Sequence, residues 1–146
     1  MSENSPQVTP DASKRIAVDV GLVVADMQRA LSFYRDLIGL PVVAEVTISL
    51  IGRGQMVQLA HGASLIKLVR LEKPPSAGSP AGISKALGYR YITLLIADIE
   101  AIMTKLEQEK VSIALPITRL ENGAAIAMVM DPDGNIIEFV QTAGGL

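Results

Sequence analysis

Two ionisable side chains stand inside apolar runs of the sequence. Lys67 lies in the middle of residues 65–69, and Glu138 lies in the middle of residues 136–140. A charged side chain in such a run must reach solvent or find a polar partner. Lys67 therefore lies either on the solvated face of an edge strand or in a cavity beside a carboxylate. Glu138 has the same two options, and in a cavity it is a candidate general acid or base.

Three further residues have side chains suited to chemistry. Asp19 precedes an apolar run that begins at Val20, so it is either a surface residue at a strand entry or a second carboxylate of a site. Tyr91 either packs as a half-buried aromatic or donates its hydroxyl to a substrate oxygen. His61 is the only histidine. We interpret it as a solvated turn residue, with proton shuttling as the alternative.

The composition limits the chemistry that is available. The chain has no cysteine, which excludes disulfides, thiolate metal sites and cysteine nucleophiles and favours a cytoplasmic protein. Its net charge is −2, without a basic cluster, so we expect no nucleic-acid partner. No apolar run approaches the ~20 residues of a membrane span, so we expect no membrane partner. The expected partner is a small molecule.

The elements that would position these residues occur twice. Residues 20–26 form an apolar run of strand length that ends in Ala-Asp, and residues 92–98 repeat this pattern. Asp26 and Asp98 are favoured helix N-caps, because a carboxylate accepts the unpaired backbone N–H groups of the first turn. Apolar residues at helical spacing follow each cap, and Gly39 supplies a left-handed end for the first helix.

Three strands are predicted after each helix. Their expected ranges are 42–50, 55–60 and 64–71 in the first copy, and 113–120, 124–130 and 135–141 in the second. The sequence thus predicts an α+β fold made of two tandem βαβββ modules. Since one such module is too short to close a core comfortably, we expect the two curved sheets to form an open cup with the helices outside.

The predicted domain organisation follows from these elements. A single domain covers residues 14–142, with module one at about 14–71 and module two at about 89–142. Residues 72–88 form a linker rich in Pro, Gly, Ser and Ala. Residues 1–13 are predicted to be a flexible tail.

Two segments carry a resemblance to a known family. Residues 30–40, with the sequence ALSFYRDLIGL, are similar to the A-x-x-F-Y-x-x-x-L-G-L helix end of the vicinal oxygen chelate (VOC) superfamily. Residues 131–139, DPDGNIIEF, resemble its closing D-P-D-G-N-x-x-E-F hairpin. That superfamily includes glyoxalases, bleomycin-resistance proteins and extradiol dioxygenases. The resemblance supports the predicted fold, but the fold hosts many reactions and does not choose among them.

The resemblance also implies where a site would lie. In metal-using members, the ligands stand on the first and last strands of each module, and the corresponding residues here are Asp19, Lys67, Tyr91 and Glu138. Glu138 matches a ligating carboxylate, whereas Lys67 would repel a cation and Tyr91 is a poor ligand. We therefore expect no cofactor. If a divalent metal were bound, Asp19 and Glu138 would be its ligands.

These residues predict a metal-independent isomerase, epimerase or lyase that acts on a small oxygenated metabolite. Asp19 or Glu138 would take a proton next to a carbonyl group, and Lys67 or Tyr91 would stabilise the developing oxyanion. The alternative is a non-catalytic binding protein that sequesters a small molecule, as some members of the superfamily do. A metal-dependent glyoxalase-like lyase or dioxygenase ranks third, because the histidine ligands are missing. The resemblance further implies a homodimer.

Overall fold

The computed structural model describes residues 15–146, which form two units with the same order of elements. The units meet in sequence between Pro74 and Pro75, inside the predicted linker, and they are called module one and module two below. Each contains its own four-stranded mixed sheet. The predicted α+β class with two βαβββ modules is confirmed. The predicted tail, residues 1–13, lies outside the described residues.

Module one contains an α-helix that continues directly into a π-helical segment, and four strands. Its elements are β1 (Val20–Val23), α1 (Met27–Leu31), a π-helical segment (Ser32–Leu37), β2 (Val42–Ile48), β3 (Gly54–His61) and β4 (Ser64–Leu71). The sheet order is β1-β4-β3-β2, with β1 parallel to β4 and the other pairs antiparallel. The parallel pair requires a crossover connection, which begins with the helix after β1.

The first helix begins as predicted but then widens. Asp26 accepts a hydrogen bond from Arg29 N at 3.1 Å, as an N-cap does. From Ser32 onward the hydrogen bonds follow the π pattern rather than the α pattern. The wider turn brings consecutive side chains closer to one face. Phe33 and Tyr34 are accordingly both buried, with their rings edge to face at 4.8 Å.

Module two repeats the architecture. Its elements are a short 3₁₀ turn (Ile83–Lys85), β5 (Tyr91–Leu95), α2 (Ile99–Gln108), β6 (Ile113–Arg119), β7 (Ala125–Met130) and β8 (Ile136–Gln141). The sheet order is β5-β8-β7-β6, again with the first and last strands parallel. Asp98 caps α2 by accepting a hydrogen bond from Ala101 N at 3.0 Å. Among residues 15–146, no helix has the length and apolar character needed to cross a bilayer.

The two faces of the module-two sheet differ in character. One face packs against α2 and buries a set of apolar side chains, which are Leu94, Ala127, Val129, Ile137 and Phe139. The opposite face carries the alternate residues of the same strands, among them Tyr91, Thr93 and Glu138. This alternation has the period of two expected of a strand. It separates the residues that form the core from those available for chemistry.

Arg90 holds the start of module two in place. Its guanidinium donates hydrogen bonds to Ser79 Oγ at 2.8 Å, to Gly82 O at 2.7 Å and to Pro80 O. These bonds attach the chain that precedes β5 to the residue directly before Tyr91. The Arg90 side chain therefore anchors the C-terminal half of the linker.

The packing predicts a large difference between two apolar truncations in module two. Phe139→Ala removes a fully buried ring from the face against α2, and we expect it to lower the free energy of unfolding by about 3–5 kcal/mol. Leu95→Ala, at a site that is 46% exposed, should cost less than about 1 kcal/mol. Urea unfolding measures both values. Similar losses in the two variants would contradict the assignment of the two faces.

Candidate functional site

The four predicted site residues lie on, or next to, equivalent strand pairs of the two modules. In β1–β4, Gly21 is the register partner of Lys67. In β5–β8, Thr93 is the register partner of Glu138. Gly21 and Thr93 are separated by the same spacing as the two N-cap residues (93 − 21 = 72). Lys67 and Glu138 therefore occupy the same position of the repeat.

In module one, Asp19 is the centre of a charged cluster. Arg15 donates two hydrogen bonds to the Asp19 carboxylate, from Nη1 to Oδ1 at 2.7 Å and from Nη2 to Oδ2 at 2.8 Å. Leu65 N donates to Oδ1 at 2.9 Å, and Lys67 Nζ lies 3.7 Å from Oδ2. Arg15 also donates to Ala63 O at 2.6 Å. The cluster thus attaches the segment before β1 to the hairpin that precedes β4.

The Arg15 guanidinium governs the ionisation of Asp19. Through its hydrogen bonds it holds the pKa of Asp19 far below the ordinary value, and the Leu65 N–H and the Lys67 ammonium act in the same direction, while partial burial opposes them. Asp19 in turn raises the pKa of Arg15. A carboxylate with so low a pKa is a weak proton acceptor near neutral pH. Its oxygens are also engaged, so Asp19 is better suited to hold charge than to move protons.

Lys67 has found a carboxylate partner, as one of its two sequence-based alternatives required. Its side chain is 33% exposed, and its strand neighbours across the sheet are Gly21 and Gln58. The 3.7 Å separation from Asp19 is an ion pair without the short distance of a hydrogen bond. The ammonium therefore keeps hydrogen-bonding capacity for another acceptor.

In module two, Glu138 is held by a residue that the sequence analysis did not select. Thr93 Oγ1 donates a hydrogen bond to Glu138 Oε1 at 2.6 Å. Tyr91 lies on the same face of β5, two residues before Thr93, and is 48% exposed. Met128 is the register partner of Glu138 on β7. The structure thus places a carboxylate, a hydroxyl and a phenol on one face of module two.

The sequence analysis did not predict two supporting residues, Thr93 and Arg15, although the sequence contains an indication of each. Thr93 alternates with Tyr91 along the strand, so the period of two already places them on the same face. Arg15 stands four residues before Asp19 in the sequence. What the sequence could not supply was the register between β5 and β8, or the path of the chain before β1.

His61 and Asp131 occupy turns. His61 ends β3 and is paired with Ser64 across the hairpin turn. Asp131 accepts hydrogen bonds from Asp133 N at 3.0 Å, Asn135 N at 2.8 Å and Asn135 Nδ2 at 2.9 Å. Gly134 adopts the positive φ of 86° that closes this turn. The D-P-D-G-N segment therefore builds the hairpin that delivers Glu138 on β8.

The donor set at the superfamily's ligand positions fits a metal poorly. The oxygens of Asp19 are already engaged by Arg15 and Leu65, and Lys67 brings a positive charge within 3.7 Å. A cation would have to displace the guanidinium and tolerate the ammonium.

Each module pairs its first strand with its last, and a D-P-D-G-N hairpin leads into β8. This arrangement matches a known family. The family model described as Glyoxalase/Bleomycin resistance protein/Dioxygenase superfamily matches residues 16–139. The chain belongs to this superfamily. The match spans both modules and confirms the resemblance found in residues 30–40 and 131–139. A search of curated proteins finds no significant match to this VOC chain.

Solved structures of VOC proteins share this fold. A glyoxalase family protein from Bacillus cereus has a TM-score of 0.74 and 19% identity, over 97% of this chain and 98% of that chain. The trypanothione-dependent glyoxalase I of Leishmania major has a TM-score of 0.64 and 21% identity, over 86% and 85%. A lactoylglutathione lyase from Agrobacterium tumefaciens has a TM-score of 0.58 and 22% identity, over 87% and 94%. At these identities the likeness shows the fold alone.

The depressed pKa of Asp19 predicts how stability depends on pH. Asp19 stabilises the folded state above its ordinary pKa of about 3.9, and this contribution is lost as the pH falls from there toward the lower folded value. Arg15→Gln should remove the main cause of the shift. We therefore expect the variant to be less stable than wild type at neutral pH, with the difference shrinking in acid.

Urea midpoints measured between neutral pH and about pH 2 test this expectation. The matched control is Arg119→Gln, which breaks the exposed ion pair with Glu100 and should change stability little. Equal behaviour of the two variants across the whole pH range would show that Arg15 does not set the ionisation of Asp19.

Proposed function

We propose that this VOC protein is a metal-independent enzyme that moves a proton next to the carbonyl group of a small oxygenated metabolite. Isomerisation, epimerisation or a lyase step would each use such a transfer. The observation that carries the proposal is the 2.6 Å hydrogen bond from Thr93 Oγ1 to Glu138 Oε1. It holds a half-buried carboxylate in a fixed direction on the face of the sheet away from the helix.

Glu138 is assigned the role of general base. A base must be held in a defined geometry to take a proton efficiently. The Thr93 bond restrains one carboxylate oxygen, and the buried neighbours Ile137 and Phe139 fix the strand on either side. Among residues 15–146, Thr93 is the sole hydrogen-bond donor to this carboxylate, so Oε2 is left to accept a proton.

Tyr91 is assigned as the donor that stabilises the developing oxyanion. Its phenol lies on the same face as Glu138 and is accessible to a ligand, and a positioned hydroxyl can donate to an oxygen as charge forms on it. Asp19 takes no proton in the proposal, because Arg15 makes it a weak base.

Metal independence is proposed from the chemistry of the ligand positions. A lysine occupies one of the four, and the aspartate at another is already paired with a guanidinium. Neither offers what a divalent cation prefers.

A small-molecule binding protein without catalytic activity is the second candidate. It is favoured by the apolar character of the module-two face, where Leu95 is 46% exposed and Met128 is the register partner of Glu138. A surface that combines apolar side chains with a few placed polar groups is typical of small-ligand sites. In that case Glu138 would orient a ligand rather than take its proton.

The proposal also includes a cytoplasmic location and a homodimer, with no nucleic-acid partner. The absence of cysteine supports the cytoplasmic location, and the net charge of −2 supports the absence of a nucleic-acid partner. Analytical ultracentrifugation should give a mass about twice that of the 15.5 kDa chain. A mass equal to that of one chain at all concentrations would contradict the dimer.

Proton–deuterium exchange distinguishes the enzyme from the binding protein. We expect the wild-type chain to catalyse exchange in at least one member of a panel of 2-oxo and β-keto compounds, followed by NMR in D₂O. Glu138→Gln should lower the rate by about 10²–10⁴-fold, because it removes the base without changing the size of the side chain. Thr93→Val should lower it less, since the base remains but is no longer restrained.

Glu107→Gln is the matched control, because it removes an exposed carboxylate from α2. It should exchange at the wild-type rate. Exchange that persists in Glu138→Gln would overturn the assignment of the base, whereas tight binding without exchange by the wild type would favour the binding protein.

A chelator tests metal independence separately. Prolonged dialysis against a strong chelator should leave the exchange rate of the wild type unchanged. Loss of exchange, with recovery after addition of Mg²⁺, Mn²⁺ or Zn²⁺, would contradict the proposal and support a metal-dependent lyase or dioxygenase.

A further inference from the structure

The two modules carry opposite chemistry at the same position of the repeat. Module two has a carboxylate, Glu138, opposite a hydroxyl residue, Thr93. Module one has an ammonium, Lys67, opposite a residue without a side chain, Gly21. Where module two has the hydrogen-bond acceptor Glu138, module one has the donor Lys67. Where module two has the Thr93 side chain, module one has glycine. Lys67 and Gly21 lie in module one, so their chemistry is separate from the proposed function of Glu138.

The positive charge of Lys67 is only partly compensated. Asp19 Oδ2 lies 3.7 Å from Nζ, while the same carboxylate accepts three shorter hydrogen bonds from Arg15 and Leu65. Two cationic groups thus face one carboxylate. In the part of the chain that the structure describes, Nζ donates no hydrogen bond, although its side chain is only 33% exposed. An ammonium in this position retains three N–H donors for an incoming acceptor.

The strand position paired with Lys67 carries no side chain, because it is Gly21. A Cβ placed on Gly21 would meet no atom within 4 Å outside its immediate chain neighbours. Its backbone is also ordinary β-strand, without the positive φ that would require glycine. Conformation therefore does not explain the glycine. Gly21 leaves the backbone of β1 exposed at the position where module two carries the Thr93 side chain.

We infer that Gly21 and Lys67 form a binding subsite for the carboxylate group of a small ligand. The carboxylate lies over the backbone of Gly21 and accepts charge-assisted hydrogen bonds from Lys67 Nζ. Arg15 contributes through Asp19. Its two hydrogen bonds occupy the Asp19 carboxylate, so that this carboxylate does not fully neutralise the positive charge of Lys67. The subsite selects an anion, since the fixed charge at this position is positive.

The subsite predicts a preference for a carboxylate over a neutral ligand of the same shape. The probes are acetoacetate and its neutral counterpart acetoacetamide, titrated into the ¹⁵N-labelled full chain and followed through the backbone amide signals. We expect acetoacetate to shift the Gly21 amide and its strand neighbours. Lys67→Gln should weaken acetoacetate binding by about 10- to 100-fold and change acetoacetamide binding little. Lys67→Arg should keep the preference.

Gly21→Val tests the open space by itself. Valine is favoured in strands and resembles threonine in shape, so the fold should survive while the carboxylate loses its place. We expect this variant to lose acetoacetate binding although Lys67 is intact. Lys73→Gln is the matched control for loss of one positive charge, because Lys73 is exposed and lies beyond the end of β4. It should bind acetoacetate as the wild type does.

Several outcomes would overturn the subsite. They are the absence of acetoacetate binding by the wild type, equal affinities for acetoacetate and acetoacetamide, unchanged acetoacetate affinity in Lys67→Gln, and equal losses in Lys67→Gln and Lys73→Gln. Far-UV circular dichroism and urea unfolding establish that each variant is folded. If Lys67→Gln does not fold, Lys67→Met, which keeps the aliphatic stem, is measured in its place. Because these are binding measurements, they stand whether or not Glu138 catalyses exchange.

Discussion

The parallel pairing of the first and last strands is the constraint on which the rest of each module depends. It fixes Gly21 against Lys67 and Thr93 against Glu138. Because side chains alternate with a period of two, a slip of one residue would turn each charged residue toward the helix. Buried neighbours such as Ile66 and Phe139 oppose that slip, since it would bring them out to the other face. The apolar core thus sets the direction of the polar side chains.

The two modules use this shared frame for different local electrostatics. Glu138 is a carboxylate restrained by one neutral donor, Thr93. Asp19, at the entrance to β1, is a carboxylate held by a guanidinium and approached by an ammonium. The first arrangement leaves the second carboxylate oxygen without a hydrogen bond from residues 15–146. The second lowers basicity so far that the carboxylate serves to arrange the surrounding positive charges.

Much of the fold could be predicted because its signals are local. Asp26 and Asp98 cap their helices as their positions indicated, Gly39 has the predicted positive φ, and β4 has the predicted bounds. The π-helical widening could not be predicted, because it accompanies the joint burial of Phe33 and Tyr34, which depends on tertiary packing. Helix and strand patterns are properties of short segments, whereas that widening depends on packing. The cup formed by the two sheets stays a prediction.

The sequence predicted which residues belong to the candidate site, but it did not predict which side chains they contact. A charge within an apolar strand marked Lys67 and Glu138, but the identity of what each contacts depends on register and on the chain before β1. Arg15 and Thr93 supply those contacts, and each changes what its neighbour can do. Arg15 suppresses the basicity of Asp19, and Thr93 restrains Glu138. Sequence thus identifies the reactive group, while the neighbouring side chain determines its role.

A duplicated module offers a physical route to new chemistry at a fixed position. Exchanging a carboxylate for an ammonium reverses the sign of the charge that a ligand must bring, and removing the opposing side chain supplies room for it. Lys67 alternates along β4 with the buried Ile66 and Leu68, whose side chains point to the other face of the sheet. The fold can therefore keep its packing while the charge at one position of the repeat changes from negative to positive. Function in such a scaffold is decided by a few alternating residues rather than by the architecture.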